Sequence, residues 1–168
     1  EQRGGQVSEV LIVGELVGGW LTRATGEMLG LGQGLGEDLA VAIFEGGNNA
    51  PQQAIERGAD KVYLVQYHPE VPPSTEARLA ALEQLCASTS PAVVLVGKSA
   101  VGAEVGPRLA FRLGVGMAQD CINVTLDSGT GRVIATRPVF GGAAMATVTF
   151  PGVDPQVVVV RDHAYEEP

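Results

Sequence analysis

Pro91-Ala92-Val93-Val94-Leu95-Val96-Gly97-Lys98-Ser99-Ala100-Val101-Gly102-Ala103-Glu104-Val105-Gly106-Pro107-Arg108-Leu109-Ala110-Phe111-Arg112-Leu113-Gly114 is the stretch that decides the fold. It opens on an apolar run bounded by Pro91 and Gly97, short enough for a strand and without polar alternation. Such a run is buried on both faces, as in a parallel sheet covered by helices. It hands over to a small-residue loop, and the spacing predicts a helix beyond. Pro107 fits the first helical turn, where its missing N–H has no partner to lose. Leu109, Ala110 and Leu113 give that helix an apolar face, and Gly114 stops it. Ligands of open parallel sheets gather at the carboxyl ends of strands, so the loop from Gly97 to Gly106 is the expected site region.

Upstream, strands alternate with helices. Val10 to Val13 reads as the first strand, ending at Gly14, and Trp20 to Leu31 as a helix closed by the glycine-rich tract 30–36. Leu39 to Phe44 is the next strand, with Gly46-Gly47 beyond it. Asn48-Asn49-Ala50-Pro51 opens a short helix through Ile55, stopped by Gly58. Lys61 to Val65 is a third strand. A helix from Pro72 or Ser74 to Ala87 has Ser74 as N-cap, with Leu79, Leu82 and Cys86 on the core side. These alternations predict parallel β-α-β units. Downstream the texture changes to strand-like runs at Asp120–Leu126, Arg132–Thr136, Ala143–Phe150 and Gln156–Val160. Asp127-Ser128-Gly129-Thr130-Gly131 is a hairpin signal, and Gly141-Gly142 and Pro151-Gly152 are turn pairs. The expectation is an α/β domain whose mostly parallel sheet is extended at its edge by antiparallel strands. It spans residues 1–162, with 163–168 as an acidic tail or linker.

The totals exclude several classes of function. The chain has 168 residues, 45% of them hydrophobic and 18% charged, which is globular composition and enough for one domain. Its net charge of −8 leaves no basic surface for nucleic acid, and no apolar run approaches a bilayer span, so no membrane insertion is expected. Cys86 and Cys121 stand far apart, with His68 and His163 isolated from them, so no metal-ligand spacing arises. The chain begins at Glu1, which implies a trimmed start or a piece of something longer. The tract 30–36 lacks the third glycine of a dinucleotide fingerprint and leads into a strand, so it reads as a helix stop. Thr22-Arg23-Ala24-Thr25-Gly26 lies too far past the first strand for a phosphate loop. Gly97-Lys98-Ser99 echoes the end of a Walker A loop, but strand residues occupy the places of its glycines, and Lys98 reads as a solvated rim lysine. Glu104, placed beside a helix N-terminus, would repel a phosphate there. No catalytic constellation emerges.

Taken in order, the motifs form a set. Gly58-Ala59-Asp60-Lys61-Val62-Tyr63, Pro107-Arg108-Leu109-Ala110, Arg112-Leu113-Gly114, Asp120, Arg137-Pro138-Val139-Phe140-Gly141-Gly142 and the closing Val157–Arg161 resemble the alpha subunit of electron-transfer flavoproteins. Glu15 and Glu27 match its first strand-to-helix region more loosely. The chain departs from that pattern at Gly102-Ala103-Glu104-Val105, where the family more often has Gly-Arg-Asp-Leu. It also stops where the family's flavin domain would begin, as a fragment would. The resemblance implies a three-layer α/β/α Rossmann-like fold akin to the adenine nucleotide alpha hydrolases. It implies an amino-terminal domain that is a non-catalytic scaffold beside a beta subunit. The intact protein would carry FAD, bound mainly by the absent carboxyl-terminal domain, with no cofactor expected in this piece. Its electrons would come from acyl-CoA or other dehydrogenases and pass to a quinone oxidoreductase or another acceptor. The compartment implied is the cytoplasm in a bacterium or archaeon and the mitochondrial matrix in a eukaryote.

Pro107, Arg108, Asp120, Arg137 and Gly142 are the expected structural residues, with Arg108 or Arg137 pairing with Asp120 or another carboxylate to tie the helix to the added strands. The alternative is a free-standing adenine-nucleotide-binding module with its crevice at Gly14, Gly97, Lys98, Ser99, Gly102 and Gly106. A nucleotide hydrolase or ligase is the least supported reading, because Gly14-Glu15-Leu16-Val17-Gly18-Gly19 offers an acid and no hydroxyl after the first strand.

Overall fold

A computed structural model describes residues 7–44, 49–67 and 74–168. In chain order it contains β1 (Val7–Val13), β2 (Leu16–Val17), β3 (Trp20–Leu21), α1 (Arg23–Gln33), β4 (Gly36–Phe44), α2 (Ala50–Glu56), β5 (Lys61–Val65), α3 (Thr75–Thr89), β6 (Val93–Gly97), α4 (Ala100–Leu113), β7 (Met117–Cys121), β8 (Asn123–Leu126), β9 (Val133–Val139), β10 (Ala144–Thr149) and β11 (Gln156–Val160). His68, Gly46-Gly47, Asn48 and Pro72 lie outside the described residues.

The decisive apolar run forms β6, buried at every position and central in a six-stranded sheet of order β5-β4-β1-β6-β11-β7. All its pairings are parallel. Alternate side chains of each strand enter two separate cores, as a two-residue period requires. Val10 and Ile12 of β1 pack with Met28, Leu29 and Ala54 on the α1–α2 face. Leu11 and Val13 pack with Leu79, Leu82, Val105 and Leu109 on the α3–α4 face. Helix, sheet and helix make the three-layer α/β/α arrangement.

The downstream strands divide between two sheets. β11 and β7 join the parallel sheet, while β10-β9-β8 form a separate antiparallel sheet. The two are linked because β8 follows β7 after a single residue, Ile122, whose N–H already bonds to Thr136 of β9. The run expected as one strand, Asp120–Leu126, is therefore a corner between sheets. The antiparallel strands grow from the parallel edge but carry their own ladder.

Two helix starts differ from the expected ones. Trp20 and Leu21 are not helical; they pair with Leu16 and Val17 in a small hairpin turned by Gly18-Gly19. α1 begins after Thr22, whose hydroxyl accepts the Thr25 N–H. α4 begins after Ser99, whose hydroxyl accepts the Gly102 N–H, so most of the expected loop 97–106 is helix. Pro107 lies inside α4 rather than in its first turn. Its ring removes one backbone bond, to the Ala103 carbonyl, and the buried Val105, Leu109 and Ala110 keep the helix seated across that gap. Gly114 closes α4 at φ 67, as expected of a left-handed cap. Ser74 caps α3, and Leu79, Leu82 and Cys86 are its buried residues.

α4 approaches β6 so closely that a Cβ on Gly102 would stand 1.9 Å from the Gly97 carbonyl oxygen. Only glycine fits there without moving backbone. Gly102→Ala is expected to destabilise the chain by about 1–3 kcal/mol, the usual cost of overpacking. The readout is a lower urea midpoint with unchanged slope; a wild-type midpoint would contradict the close approach.

Candidate functional site

The chain winds outward from β1 to β4 and β5, then crosses back to β6 on the other side of β1. That reversal puts the sheet's switch point between β1 and β6, with Val13 beside Val96. The crevice beyond these strand ends is where open α/β sheets take ligands. Gly14 and Glu15 leave β1 on one side; Gly97, Lys98 and Ser99 leave β6 on the other. The amino termini of α1 and α4 both lie here, capped by Thr22 and Ser99, and each brings the positive end of a helix dipole.

The chain fills this crevice with its own anion. Ser99 Oγ donates to Glu15 Oε1 at 2.6 Å while accepting the Gly102 N–H at 2.9 Å. The Glu15 backbone is held from the other side by Thr25, whose hydroxyl accepts the Glu15 N–H at 2.9 Å and stands 3.3 Å from the Glu15 carbonyl. Glu15 therefore stands where a phosphate would meet the amino terminus of α4. The carboxylate at that helix end is Glu15 and not Glu104. Glu104 lies a turn further on, exposed and bonded to Arg108 and Thr75. Burial pushes the Glu15 carboxyl above its ordinary value, against the Ser99 hydrogen bond and the charge of Arg78.

A second cluster lies at the ends of β6, β7 and β11. Asp120 is the extra residue of a β-bulge, since Val159 faces Gln119 while Val160 faces Cys121. It adopts φ 66, a left-handed backbone that Asp tolerates better than most residues. The bulge turns its carboxylate toward two cations. Arg161 of the β11 end donates Nε to Oδ1 at 2.9 Å and Nη2 to Oδ2 at 2.7 Å, and Lys98 of the β6 end donates to Oδ1 at 2.8 Å. The Arg161 guanidinium, followed by Lys98, holds the Asp120 carboxyl well below the usual carboxylate range despite its partial burial. Lys98 is thus at the rim but paired.

The other expected residues are dispersed. Arg108 pairs with Glu104 on its own helix and with Glu76 of α3, so it ties α4 to α3 and not to the antiparallel strands. Arg137 is on β9 and Gly142 in the β9–β10 turn, and both line a cavity with Asp120 and Arg161. Gly106 faces Val159 of β11, and Gly14 packs beneath the β4 backbone. Sequence reasoning missed Arg161 as the partner of Asp120. It also missed buried Glu27 as an anchor: Arg23 bonds its Oε1 at 2.9 Å, and the His163 N–H bonds its Oε2 at 2.8 Å. Tyr165 then accepts the Val124 N–H, and Glu167 pairs with Arg57. Residues 163–167 consequently lie along α1. Among the described residues no group of His, Cys, Asp and Glu could hold a metal ion, and no helix is long and apolar enough to cross a membrane.

Compared with known families, residues 10–168 match the electron transfer flavoprotein domain. The chain belongs to the electron transfer flavoprotein family. It is 34% identical over 161 residues to the electron transfer flavoprotein subunit alpha of Thermoanaerobacterium thermosaccharolyticum, covering 96% of this chain and 46% of that protein. It is 32% identical over 153 residues to protein FixB of Clostridium saccharobutylicum, covering 89% and 46%. With the subunit alpha of Clostridium acetobutylicum the identity is 30% over 163 residues, covering 94% and 48%. The chain spans about half the length of the curated relatives it matches.

The two clusters should respond oppositely to pH. The Glu15 carboxyl is raised on folding, so its ionised form burdens the native state, and the burden lifts as pH falls through the folded value. Glu15→Gln keeps an acceptor for Ser99. It is expected to be more stable than wild type at pH 7, with the two urea midpoints converging on acidification; a gap that widens in acid would contradict the burial. Asp120 is depressed on folding, so its contribution is full above the unfolded value of about 3.9 and is lost below it. Asp120→Asn is expected to cost about 1–3 kcal/mol at pH 7 by leaving two cations short of a partner. That deficit should shrink below about pH 4; a constant deficit would mean that the carboxylate charge is irrelevant.

Proposed function

We propose that this chain is the amino-terminal domain of an electron-transfer flavoprotein alpha subunit and serves as its non-catalytic scaffold. A carboxyl-terminal domain that carries FAD and a beta subunit would assemble upon it. The observation that carries the reading is Glu15 in the switch-point crevice, locked by Ser99 at the amino terminus of α4. A domain whose ligand crevice is closed by its own carboxylate is suited to holding other parts in place. FAD supplies the redox chemistry when bound. Its pyrophosphate would meet the Glu15 carboxylate in this crevice, so the residues there do not fit it, and no electron-transfer step is assigned to them. The same clash opposes the reading as a free-standing adenine-nucleotide module.

Coverage of about half of each relative supports a second domain in the intact protein. Residues 163–168 would lead toward it, from a starting point set by Glu27 and Tyr165. The intact assembly would accept electrons from acyl-CoA or other dehydrogenases and deliver them to a quinone oxidoreductase or another acceptor.

The test is to purify the chain, record its ultraviolet–visible spectrum, and mix it with the beta subunit of the same organism. A colourless protein that co-elutes with the beta subunit at one to one is expected. A yellow chain, or no complex at micromolar concentration, would overturn the scaffold reading.

A further inference from the structure

The antiparallel sheet and the ends of β7 and β11 border an open cavity of about 420 Å3 that the scaffold reading does not use. Its lining includes Arg137, Arg161, Asp120, Phe140, Gly141 and Gly142. By the two-residue period of β9, Arg137 shares the face of Val133 and Ala135, both fully buried. Its Nε is buried and has no hydrogen-bond partner, and among the described residues no carboxylate pairs with its guanidinium. A buried guanidinium N–H left without an acceptor is costly, and native structures seldom leave one so.

The charges around the cavity do not cancel. Of the charged residues that line the cavity, Arg137 and Arg161 are cations and Asp120 is the one carboxylate, in a chain whose net charge is −8. One positive charge is left over in the lining, that of Arg137, because Asp120 is already bonded to Arg161. Asp120 takes Nε and Nη2 of Arg161, so that guanidinium is aligned before any ligand arrives. The mouth is open, since Gly141 and Gly142 put no side chain into it and a Cβ on either would meet nothing within 4 Å. Phe140 stands at the lip, 87% exposed with φ 51, where its ring can cover a group bound below.

We propose that the cavity between Arg137 and Arg161 binds a phosphate-class dianion, free or as a phosphate monoester. The planar Arg137 guanidinium matches a phosphate oxygen pair in geometry as well as charge, and a phosphate has further oxygens to reach the side of Arg161 that Asp120 does not take, which a single carboxylate lacks. The site lies apart from the switch-point crevice and does not depend on the scaffold reading. A carboxylate from a partner protein is the competing source of negative charge, and the probes separate the two.

Thermal unfolding of the chain is followed at constant ionic strength in inorganic phosphate and in acetate. Phosphate at about ten times its Kd is expected to raise Tm saturably by about 3 °C, and acetate to leave it unchanged. Arg137→Gln should lose the response, whereas Arg108→Gln, an α4 surface variant, should keep it. Should Arg137→Gln not fold, tungstate soaked into wild-type crystals replaces it, with an anomalous peak expected between Arg137 and Arg161. A response that survives Arg137→Gln, an equal effect of acetate, or tungstate bound only elsewhere would each overturn the proposal.

Discussion

The bond between Asp120 and Arg161 holds the corner on which the two halves of the molecule meet. At Asp120 the edge strand of the parallel sheet gains one residue and turns through a left-handed conformation. Two residues later its backbone has begun pairing with β9. A non-glycine residue in that conformation carries a steric penalty of about 1–2 kcal/mol. Charge-assisted bonds from Arg161 and Lys98 offset it. Backbone bonds from the same residues complete the corner, with Lys98 N–H on Val160 and Arg161 N–H on Cys121. Three strand ends are thereby clamped at one point, and the antiparallel sheet takes its direction from the clamp.

That corner separates two regions of opposite sign. At the switch point Glu15 sets its carboxylate on Ser99, the cap of α4, while its backbone is held by Thr25 of α1. At the corner, one carboxylate is shared by two cations while Arg137 stands near it without a carboxylate of its own. A ligand site in this fold is therefore decided by local charge balance rather than by the architecture. The same parallel sheet closes one crevice and leaves a cationic cavity a few strands away.

Much of the parallel half was legible because burial on both faces makes a strand apolar at every position. Val93–Gly97, buried throughout, appears almost where the sequence placed it; the edge strand Lys61–Val65 does too, although none of its residues is buried. Ser74 was readable as a cap because a long periodic helix follows it. Ser99 was not, because Pro107 is the stronger start signal and the residues between are small enough to pass for a loop. The Gly18-Gly19 pair flanked by Val17 and Trp20 was a hairpin signal hidden by the apolar residues of α1. For the site, Asp120 stood out but its partners did not. Arg161 and Lys98 approach it only through strands joined late in the chain, and no local spacing encodes a bulge that turns a side chain across a sheet end. Glu15 was visible as an acid after the first strand, yet its bond to Ser99 spans 84 residues.

The central claim is that Glu15 occupies the place of a ligand phosphate in the switch-point crevice. Its most direct test is an amide nuclear magnetic resonance titration of the isotope-labelled chain with AMP. The account predicts no saturable shift of the Gly14, Gly97 or Gly102 amides at millimolar nucleotide. Saturable shifts at those three amides would show that the crevice admits a phosphate beside Glu15, and would contradict it.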